Sequence, residues 1–201
     1  GNRMPVTIKH LYNSALSAYQ YTANSGIKLS TANFSAMRIG NGFKLNIMQS
    51  MTYVNRLPIA WTKEELENDN QVLGGYIYVG ENGEEIYFKE SKEEACCDSN
   101  SQCYNLYKDV NGGDMLYDPQ KRTLKQGDDT YHFDSMGRLI KISDATENNY
   151  VDITYTANRI TCVTDGAGRD FWFGYSGEYL TSITAPDNTE IRYTYSGNLL
   201  S

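Results

Sequence analysis

Apolar and polar residues alternate over many short stretches of the chain. In residues 191–195 (IRYTY) the apolar side chains occupy every second position, and Phe171, Phe173 and Tyr175 follow the same rule. Alternation with a period of two is typical of a β-strand that buries one face. Turn-forming residues separate these stretches, for example residues 165–168 (DGAG). The pattern therefore predicts an all-β protein built from consecutive antiparallel β-hairpins.

From Phe133 onward the alternating stretches recur every 20 to 22 residues. An aromatic residue, a Leu or Ile, an Ile or Val and an Asp follow one another in the same order, and four columns in step indicate a true repeat. Each unit has room for two strands and their turns, so each unit is predicted to be one hairpin. The columns are Phe133, Tyr155, Tyr175 and Tyr195; Leu139, Ile160, Leu180 and Leu200; Ile142, Val163 and Ile183; and Asp144, Asp165 and Asp187.

The repeat divides the chain into two regions. Residues 126–201 contain three complete units and part of a fourth, whereas residues 1–125 form a non-repetitive leader region that is also rich in predicted strands. A single hairpin cannot bury its own aromatic face, so the hairpins are expected to stack as a ribbon or partial shell around a shared core. The last unit stops at Ser201, which predicts an unpaired strand edge there unless a partner covers it.

The leader region has its own strand-like runs. Residues 6–8, 43–47, 76–79 and 86–88 are short alternating or aromatic segments. The last two runs flank residues 81–83 (ENG), and a turn sequence between two such runs predicts a hairpin over residues 76–88.

Helix signals are few and local. Residues 62–65 (TKEE) and 91–94 (SKEE) both have the pattern of a capping box. Little helical periodicity follows either of them, so each predicts a helix of one or two turns.

Composition excludes several classes of protein. The chain has 201 residues and a net charge of −7, whereas nucleic-acid binders usually carry a basic face. It has no run of 18 apolar residues, so no membrane insertion is expected. The first residues, 1–5 (GNRMP), contain no apolar signal segment, which is consistent with a leader peptide that has been trimmed.

The four cysteines are Cys96, Cys97, Cys103 and Cys162. Cys97 and Cys103 can close a short loop through a disulfide, and the alternative is free thiols, with Cys162 filling the core on a strand. There is no Cys-x-x-Cys pair and there are only two His, so neither a metal site nor a cofactor is expected.

The chain shows no signature of a common enzyme class. It has no Gly-x-Ser-x-Gly, no phosphate loop ending in Gly-Lys-Ser or Gly-Lys-Thr, and no His-Glu-x-x-His. His10 and His132 lie in strand-like runs, where a polar tip at a strand position explains them better than a general base does. We therefore expect no catalytic residue; the alternative is a hydrolase whose Cys nucleophile meets a His only in space.

Aromatic residues supply the one candidate ligand site. Exposed Trp and Tyr rings stack on sugar rings, whereas the periodic tyrosines are expected in the shared core. Trp172 is the strongest candidate because it alternates to the face opposite Phe171 and Phe173. The candidate carbohydrate-binding residues are Trp172, Trp61, Tyr179 and Tyr104.

The repeat region resembles a known family. Residues 131–139 (YHFDSMGRL), 142–144 (ISD), 160–169 (ITCVTDGAGR) and 193–201 (YTYSGNLLS) resemble the YD-repeat, or Rhs-repeat, family of large bacterial surface and secreted proteins. Upstream, residues 40–46 (GNGFKLN) are similar to the non-repetitive segment that precedes the repeats in wall-associated members.

The resemblance implies β-hairpin ribbons that coil into a shell, often around a C-terminal effector, in a secreted or cell-wall-associated bacterial protein. The chain lacks the family's autoproteolytic core and toxin domain, so we expect an N-terminal piece of a longer protein whose remainder is its partner. The leading hypothesis is a non-enzymatic extracellular scaffold that extends or encases other parts of the parent chain. The alternative is a carbohydrate-binding module for cell-surface or cell-wall glycans.

Overall fold

The structure, a computed structural model, describes residues 4–12, 37–40, 42–68 and 72–201. Across these residues the chain is all-β with one short helix, which confirms the predicted fold class. The helix is α1 (Lys63–Glu67), and the strands are β1 (His10–Tyr12), β2 (Phe43–Leu45), β3 (Ser50–Val54), β4 (Gly75–Val79), β5 (Glu85–Cys97), β6 (Cys103–Asp109), β7 (Leu116–Asp118), β8 (Thr123–Gln126), β9 (Asp129–Phe133), β10 (Leu139–Ser143), β11 (Tyr150–Thr156), β12 (Arg159–Thr164), β13 (Asp170–Ser176), β14 (Tyr179–Thr184), β15 (Glu190–Arg192), β16 (Tyr195–Ser196) and β17 (Leu199–Leu200).

Thirteen strands, β3 to β15, form one open antiparallel sheet. Their order in the sheet is their order in the chain, so every strand pairs with its neighbours in sequence. The pairs β1–β2 and β16–β17 lie outside this sheet. The predicted succession of antiparallel hairpins is therefore confirmed, and the proposed region boundary at residue 125 falls inside β8.

Two local predictions of the leader region are confirmed. The hairpin predicted over residues 76–88 is formed by β4 and β5, with Tyr78 opposite Ile86. The capping box at Thr62 also forms: the hydroxyl of Thr62 accepts from the main-chain N–H of Glu65 at 3.2 Å, and the Glu65 carboxylate accepts from the N–H of Thr62 at 2.9 Å.

The helix predicted at residues 91–94 is wrong, and the segment is a bulge in β5. The hydroxyl of Ser91 accepts from the N–H groups of Glu93 and Glu94, as a cap would. However, the chain pairs with β6 on both sides of this turn, through Glu90 and Ala95. Residues 92–95 are exposed, so no apolar face favours a helix here, and the strand pairing prevails over the local cap.

The prediction of a strand at residues 6–8 is also wrong, because this segment forms no strand. The side chains alternate as expected, because Val6 and Ile8 pack against the core while Thr7 is exposed. The segment is not paired in a ladder, however. It is held by the side chain of Asn46, whose Nδ2 donates to the carbonyl oxygen of Thr7 at 2.9 Å. The run predicted at residues 43–47 is a strand only over β2.

Each complete hairpin of the repeat region contains a β-bulge at the same place. Thr154 lies opposite Cys162 and Tyr155 lies opposite Ile160, which leaves Thr161 as an extra residue on β12. The register shift recurs between β13 and β14 and between β9 and β10. A bulge bends its strand and increases the local twist, so a regular series of bulges curves the ribbon regularly.

The leader region contributes to the core of the repeat region. Short leader segments, residues 37–39 and 45–51, place apolar side chains in the same buried cluster as the repeat columns. The N–H of Leu180 donates to the carbonyl oxygen of Arg38 at 2.9 Å, and the N–H of Arg38 donates to that of Glu178 at 2.7 Å. Among the shared core residues are Met37, Ile39, Leu45, Ile47, Leu139, Val151, Ile160, Leu180 and Ile183.

The first strand of the sheet returns to the turn between β9 and β10. The N–H of Met51 donates to the carbonyl oxygen of Gly137 at 2.8 Å, and the N–H of Leu139 donates to that of Gln49 at 3.0 Å. Gly137 has a φ of 79°, and a Cβ there would lie 2.0 Å from the Met51 oxygen. Only glycine allows both this conformation and this close approach.

Candidate functional site

The aromatic column of the repeat forms a ladder of hydrogen bonds between side chain and main chain. Each tyrosine hydroxyl donates to the carbonyl oxygen of the Leu or Ile in the preceding unit. Burial raises the pKa of all three phenols, so each remains a proton donor at neutral pH. The bonds are Tyr155 to Leu139 at 3.0 Å, Tyr175 to Ile160 at 2.8 Å and Tyr195 to Leu180 at 2.6 Å.

The aspartates of the turns hold their own loops. One carboxylate oxygen of Asp165 accepts from the N–H groups of Ala167 and Arg169, and the other accepts from the Arg169 guanidinium at 2.7 and 2.9 Å. Burial raises the pKa of Asp165, but these hydrogen bonds outweigh burial and leave the pKa below its usual range. Asp134 and Arg138 repeat the arrangement one hairpin earlier.

These turns do not assemble a cation site. Carboxylates satisfied by their own main-chain N–H groups and by arginine have no need of a metal. Across the residues that the structure describes, no three His, Cys, Asp or Glu side chains are grouped as metal ligands would be.

One hydroxyl and one imidazole, the groups of a nucleophile and a general base, lie within hydrogen-bond distance of each other. The ring Nε2 of His132 on β9 lies 2.9 Å from the hydroxyl of Ser143 on β10. Ser143 is 0% exposed, so a substrate cannot reach its oxygen. Burial lowers the pKa of His132, and Lys141 lowers it further. The pair has the spacing of a catalytic dyad but the surroundings of a buried hydrogen bond within a sheet.

His10 likewise takes a structural position. It begins β1, and its ring contacts the ring of Tyr193 edge to face with centroids 4.9 Å apart. Its Nε2 is hydrogen-bonded to the Tyr193 hydroxyl. This contact joins the leader region to the last unit of the repeat.

The cysteines take three different environments. Cys97 and Cys103 form a disulfide that closes the β5–β6 turn. Cys162 is a buried free thiol on β12. Cys96 is a half-buried free thiol, and the Lys121 ammonium lies 3.5 Å from its sulfur.

Three of the four candidate sugar-binding side chains make hydrogen bonds or ring contacts within the fold. Trp61 is half-buried and donates to the carbonyl oxygen of Leu57 at 3.3 Å. The hydroxyl of Tyr104 donates to the Asp118 carboxylate at 3.0 Å. The remaining ring, Tyr179, lies 4.8 Å from the ring of Tyr195, and its hydroxyl donates to the Asn198 side chain. These rings lie on separate elements, β6 and β14 among them.

Trp172 differs from the other three rings because its side chain is 55% exposed. It lies on β13, directly opposite Cys162 on β12 and Thr184 on β14. Gly174 follows on the same face of the strand, since side chains two residues apart share a face. The indole therefore stands above small neighbours on the outer face of the sheet.

Two features escape prediction from the sequence. Lys44 on β2 is only 5% exposed, and its ammonium donates to the carbonyl oxygen of Gly80 at 2.5 Å. Burial lowers its pKa to about 8, although Glu84 and Glu81 act in the opposite direction. The only local signal is that the lysine lies between the apolar residues Phe43 and Leu45.

The second feature is an apolar pocket beside the last strand of the sheet, where residues 6–10 meet β13, β14 and β15. No local pattern signals it, because its walls come from distant parts of the chain.

No protein family model matches the chain, and no curated protein sequence matches it. No helix among the described residues is both long and apolar enough to cross a membrane.

Proposed function

We propose that the chain is a non-enzymatic structural segment of a large YD-repeat surface or secreted bacterial protein, which extends or encases other parts of its parent chain. The tyrosine ladder carries this proposal. The tyrosines that recur in the sequence share one structural role, since the hydroxyl of each ties its hairpin to the preceding hairpin. A repeat selected for assembly in this way is typical of an architectural protein.

The positions of the reactive groups support the same proposal. The turn aspartates are engaged by their own loops, and Ser143, the hydroxyl that meets His132, is buried. The chemistry-bearing side chains of the repeat region therefore hold the ribbon together rather than face a common cleft.

A deletion tests the structural proposal. Removing residues 126–201 takes away the partners of Met37, Ile39 and Leu45 in the shared core. The remnant is expected to aggregate, whereas a chain lacking only residues 189–201 retains most of these contacts and is expected to remain folded. Size-exclusion chromatography and circular dichroism distinguish these outcomes, and a well-folded monomeric remnant would argue against a shared architectural core.

Binding of a glycan is the second candidate function, and the exposed indole of Trp172 favours it. A flat ring above small neighbours leaves room for the apolar face of a sugar. The hydroxyls of Thr184 and Ser182 lie on the neighbouring strand β14, and Arg192 lies one strand further, on β15, opposite Ser182. These side chains offer polar groups in the same part of the sheet as the ring.

An array of bacterial-wall and host glycans tests this function. Trp172→Ala is expected to weaken specific binding without unfolding the protein. Trp61→Ala tests the second candidate ring, and Tyr53→Ala is a matched control because Tyr53 is a similarly exposed aromatic far along the sheet, on β3. Binding that persists in the Trp172 variant would remove this residue from the site.

A further inference from the structure

Four reactive or charged side chains meet on one face of the leader region, beside the turn that joins β5 and β6. The Lys121 ammonium donates to the sulfur of Cys96 at 3.5 Å and lies 3.6 Å from the Asp118 carboxylate. Tyr104, directly opposite Cys96 on β6, donates its hydroxyl to the same carboxylate at 3.0 Å. We call Cys96, Tyr104, Asp118 and Lys121 the thiol cluster.

The turn between β7 and β8 holds the lysine beside the sulfur. Asp118 ends β7, and one of its carboxylate oxygens accepts from the main-chain N–H groups of Gln120 and Lys121 at 3.0 and 2.9 Å. An aspartate that binds the backbone of its own turn in this way fixes the path of the chain. The hydrogen bond to Cys96 raises the pKa of Lys121, so the ammonium remains charged at neutral pH. The sulfur of Cys96 therefore has a lasting cation beside it.

The neighbouring disulfide lies on the opposite face of the same hairpin. Cys97 and Cys103 are directly opposite each other and are joined. Successive side chains of a strand point to opposite faces, so Cys96 points away from this disulfide. The fourth cysteine, Cys162, is buried on β12 in the repeat region. A sulfur that reacts with Cys96 therefore has to come from outside the chain.

We propose that the thiol cluster is a site of thiol–disulfide exchange, at which Cys96 takes up one half of a small organic disulfide. The Cys96 thiol gives its proton to solvent, and its sulfur attacks one sulfur of the disulfide. The S–S bond of the small molecule breaks, a new S–S bond forms at Cys96, and the released thiolate takes a proton from solvent. Cys96 is oxidised and the released half is reduced, so the exchange needs no other oxidant.

Lys121 assists this step by its charge. A thiolate is the attacking form of cysteine, and a neighbouring cation favours the negative charge on its sulfur. The ammonium makes no covalent bond and stays protonated throughout, so Lys121 is a positioning residue for charge rather than a proton carrier. This activity goes beyond the scaffold function and does not depend on it.

The setting of Cys96 favours a small partner over a second copy of the chain. The side chain is half-buried, between the strand that carries Tyr104 and the turn that carries Lys121. A disulfide between two copies requires the two sulfurs to approach to about 2 Å, and half-burial on both sides opposes this approach. A slender disulfide meets the obstacle on one side only.

Reaction of the folded chain with bis(2-hydroxyethyl) disulfide tests the proposal. This probe is uncharged, so removal of a protein charge does not change how often it meets the protein. Intact mass spectrometry of acid-quenched samples gives the rate, and peptide mapping without reductant locates the adduct. One adduct is expected, on Cys96; a thiol reductant should remove it, and Cys96→Ser should not form it.

Variants of Lys121 separate charge from mere exposure of the sulfur. Lys121→Met is expected to react about threefold more slowly, the size of effect that an exposed charge contact supplies. Lys121→Arg keeps the charge and is expected to restore the rate. Lys125→Met is the matched control, since Lys125 is an exposed lysine on β8, and it should react like wild type. Circular dichroism establishes that each variant is folded.

Several outcomes would overturn the proposal. They are equal rates for Lys121→Met and Lys125→Met, an adduct on Cys97 or Cys103 instead of Cys96, and no adduct on the folded wild-type chain. A covalent dimer through Cys96, seen by electrophoresis without reductant in place of the adduct, would assign the thiol to a second copy and contradict a small partner. None of these results affects the deletion test of the scaffold function.

Discussion

The hydroxyl of Tyr175 donates a 2.8 Å hydrogen bond to the main-chain carbonyl of Ile160, fifteen residues earlier in the chain. Tyr175 lies on β13 and Ile160 on β12, so the bond joins one repeat unit to the previous unit. The sequence repeat is thus also a repeat of side-chain bonding.

Tyr175→Phe removes this donor and keeps the ring. The free energy of unfolding is expected to fall by about 1 kcal/mol, because the buried Ile160 oxygen loses a hydrogen bond. Urea denaturation measures the change. Tyr150→Phe is the control, since Tyr150 is an exposed residue on β11 and its variant should lie within about 0.5 kcal/mol of wild type. Equal effects of the two substitutions would mean that the ladder adds no stability.

Two glycines in equivalent turns separate backbone strain from close packing. Gly137 and Gly168 both have positive φ, but only at Gly137 would a Cβ meet a neighbour, the carbonyl oxygen of Met51. Gly168→Ala is expected to cost about 1–2 kcal/mol from the left-handed conformation alone. Gly137→Ala is expected to cost more, because the contact between β3 and β10 must also open.

Hydrogen exchange of the Met51 amide provides the second measurement for this pair. The Met51 amide proton, which is hydrogen-bonded to the carbonyl oxygen of Gly137, is expected to exchange faster in the Gly137→Ala variant. In the Gly168→Ala variant it is expected to exchange at the wild-type rate. Two variants of equal stability and equal Met51 protection would contradict the contact.

Buried Lys44 is expected to make stability depend on pH. Its pKa is about 8 in the folded protein, below the usual value for lysine of about 10.4. Between these pH values the unfolded chain binds more protons than the folded chain, so stability due to Lys44 rises with pH. At about pH 9 the slope approaches 1.4 kcal/mol per pH unit.

Comparison of wild type with Lys44→Met isolates this effect, because the other titrating groups, including the buried phenols, are present in both proteins. Denaturation midpoints between pH 7 and 9.5 should rise in wild type relative to the variant. Parallel curves would show that the Lys44 ammonium is not desolvated.

The cysteines are expected to differ in reactivity. Maleimide should label only Cys96 in the native protein, because Cys162 is buried and the other two cysteines are joined. Denaturation without reductant should expose Cys162, and reduction should then release Cys97 and Cys103. Intact mass spectrometry counts the adducts, and Cys96→Ser should abolish native labelling. Labelling of Cys97 or Cys103 without reductant would contradict the disulfide.

The repeat region was the part of the fold that its sequence specified most directly. Alternation fixed the face of each strand, and the 20-residue columns fixed which residues face the core, so Phe173 and Trp172 lie on opposite faces as predicted. Periodicity says nothing about the covering layer, however. The contact of Arg38 with β14 joins residues far apart in sequence, and no local pattern encodes it.

Local signals failed where tertiary pairing competed with them. Ser91 begins a turn that resembles a helix cap, yet both flanks belong to β5. Residues 6–8 alternate like a strand, but they lie against the core without a ladder of their own. The pocket beside β15 depends on this placement of Val6 and Ile8, which explains why sequence patterns alone did not indicate it.

The leader region and the repeats share one buried core and are expected to unfold as one structural unit. The two tryptophans report on it separately, since Trp61 lies in the leader region and Trp172 on β13. Equilibrium unfolding in urea of Trp61→Phe and Trp172→Phe, followed by the remaining tryptophan and by circular dichroism, should show coincident transitions within each variant. If the Trp61 signal is lost at a different urea concentration from the strand signal, the two regions unfold independently and the account of a shared architectural core is contradicted.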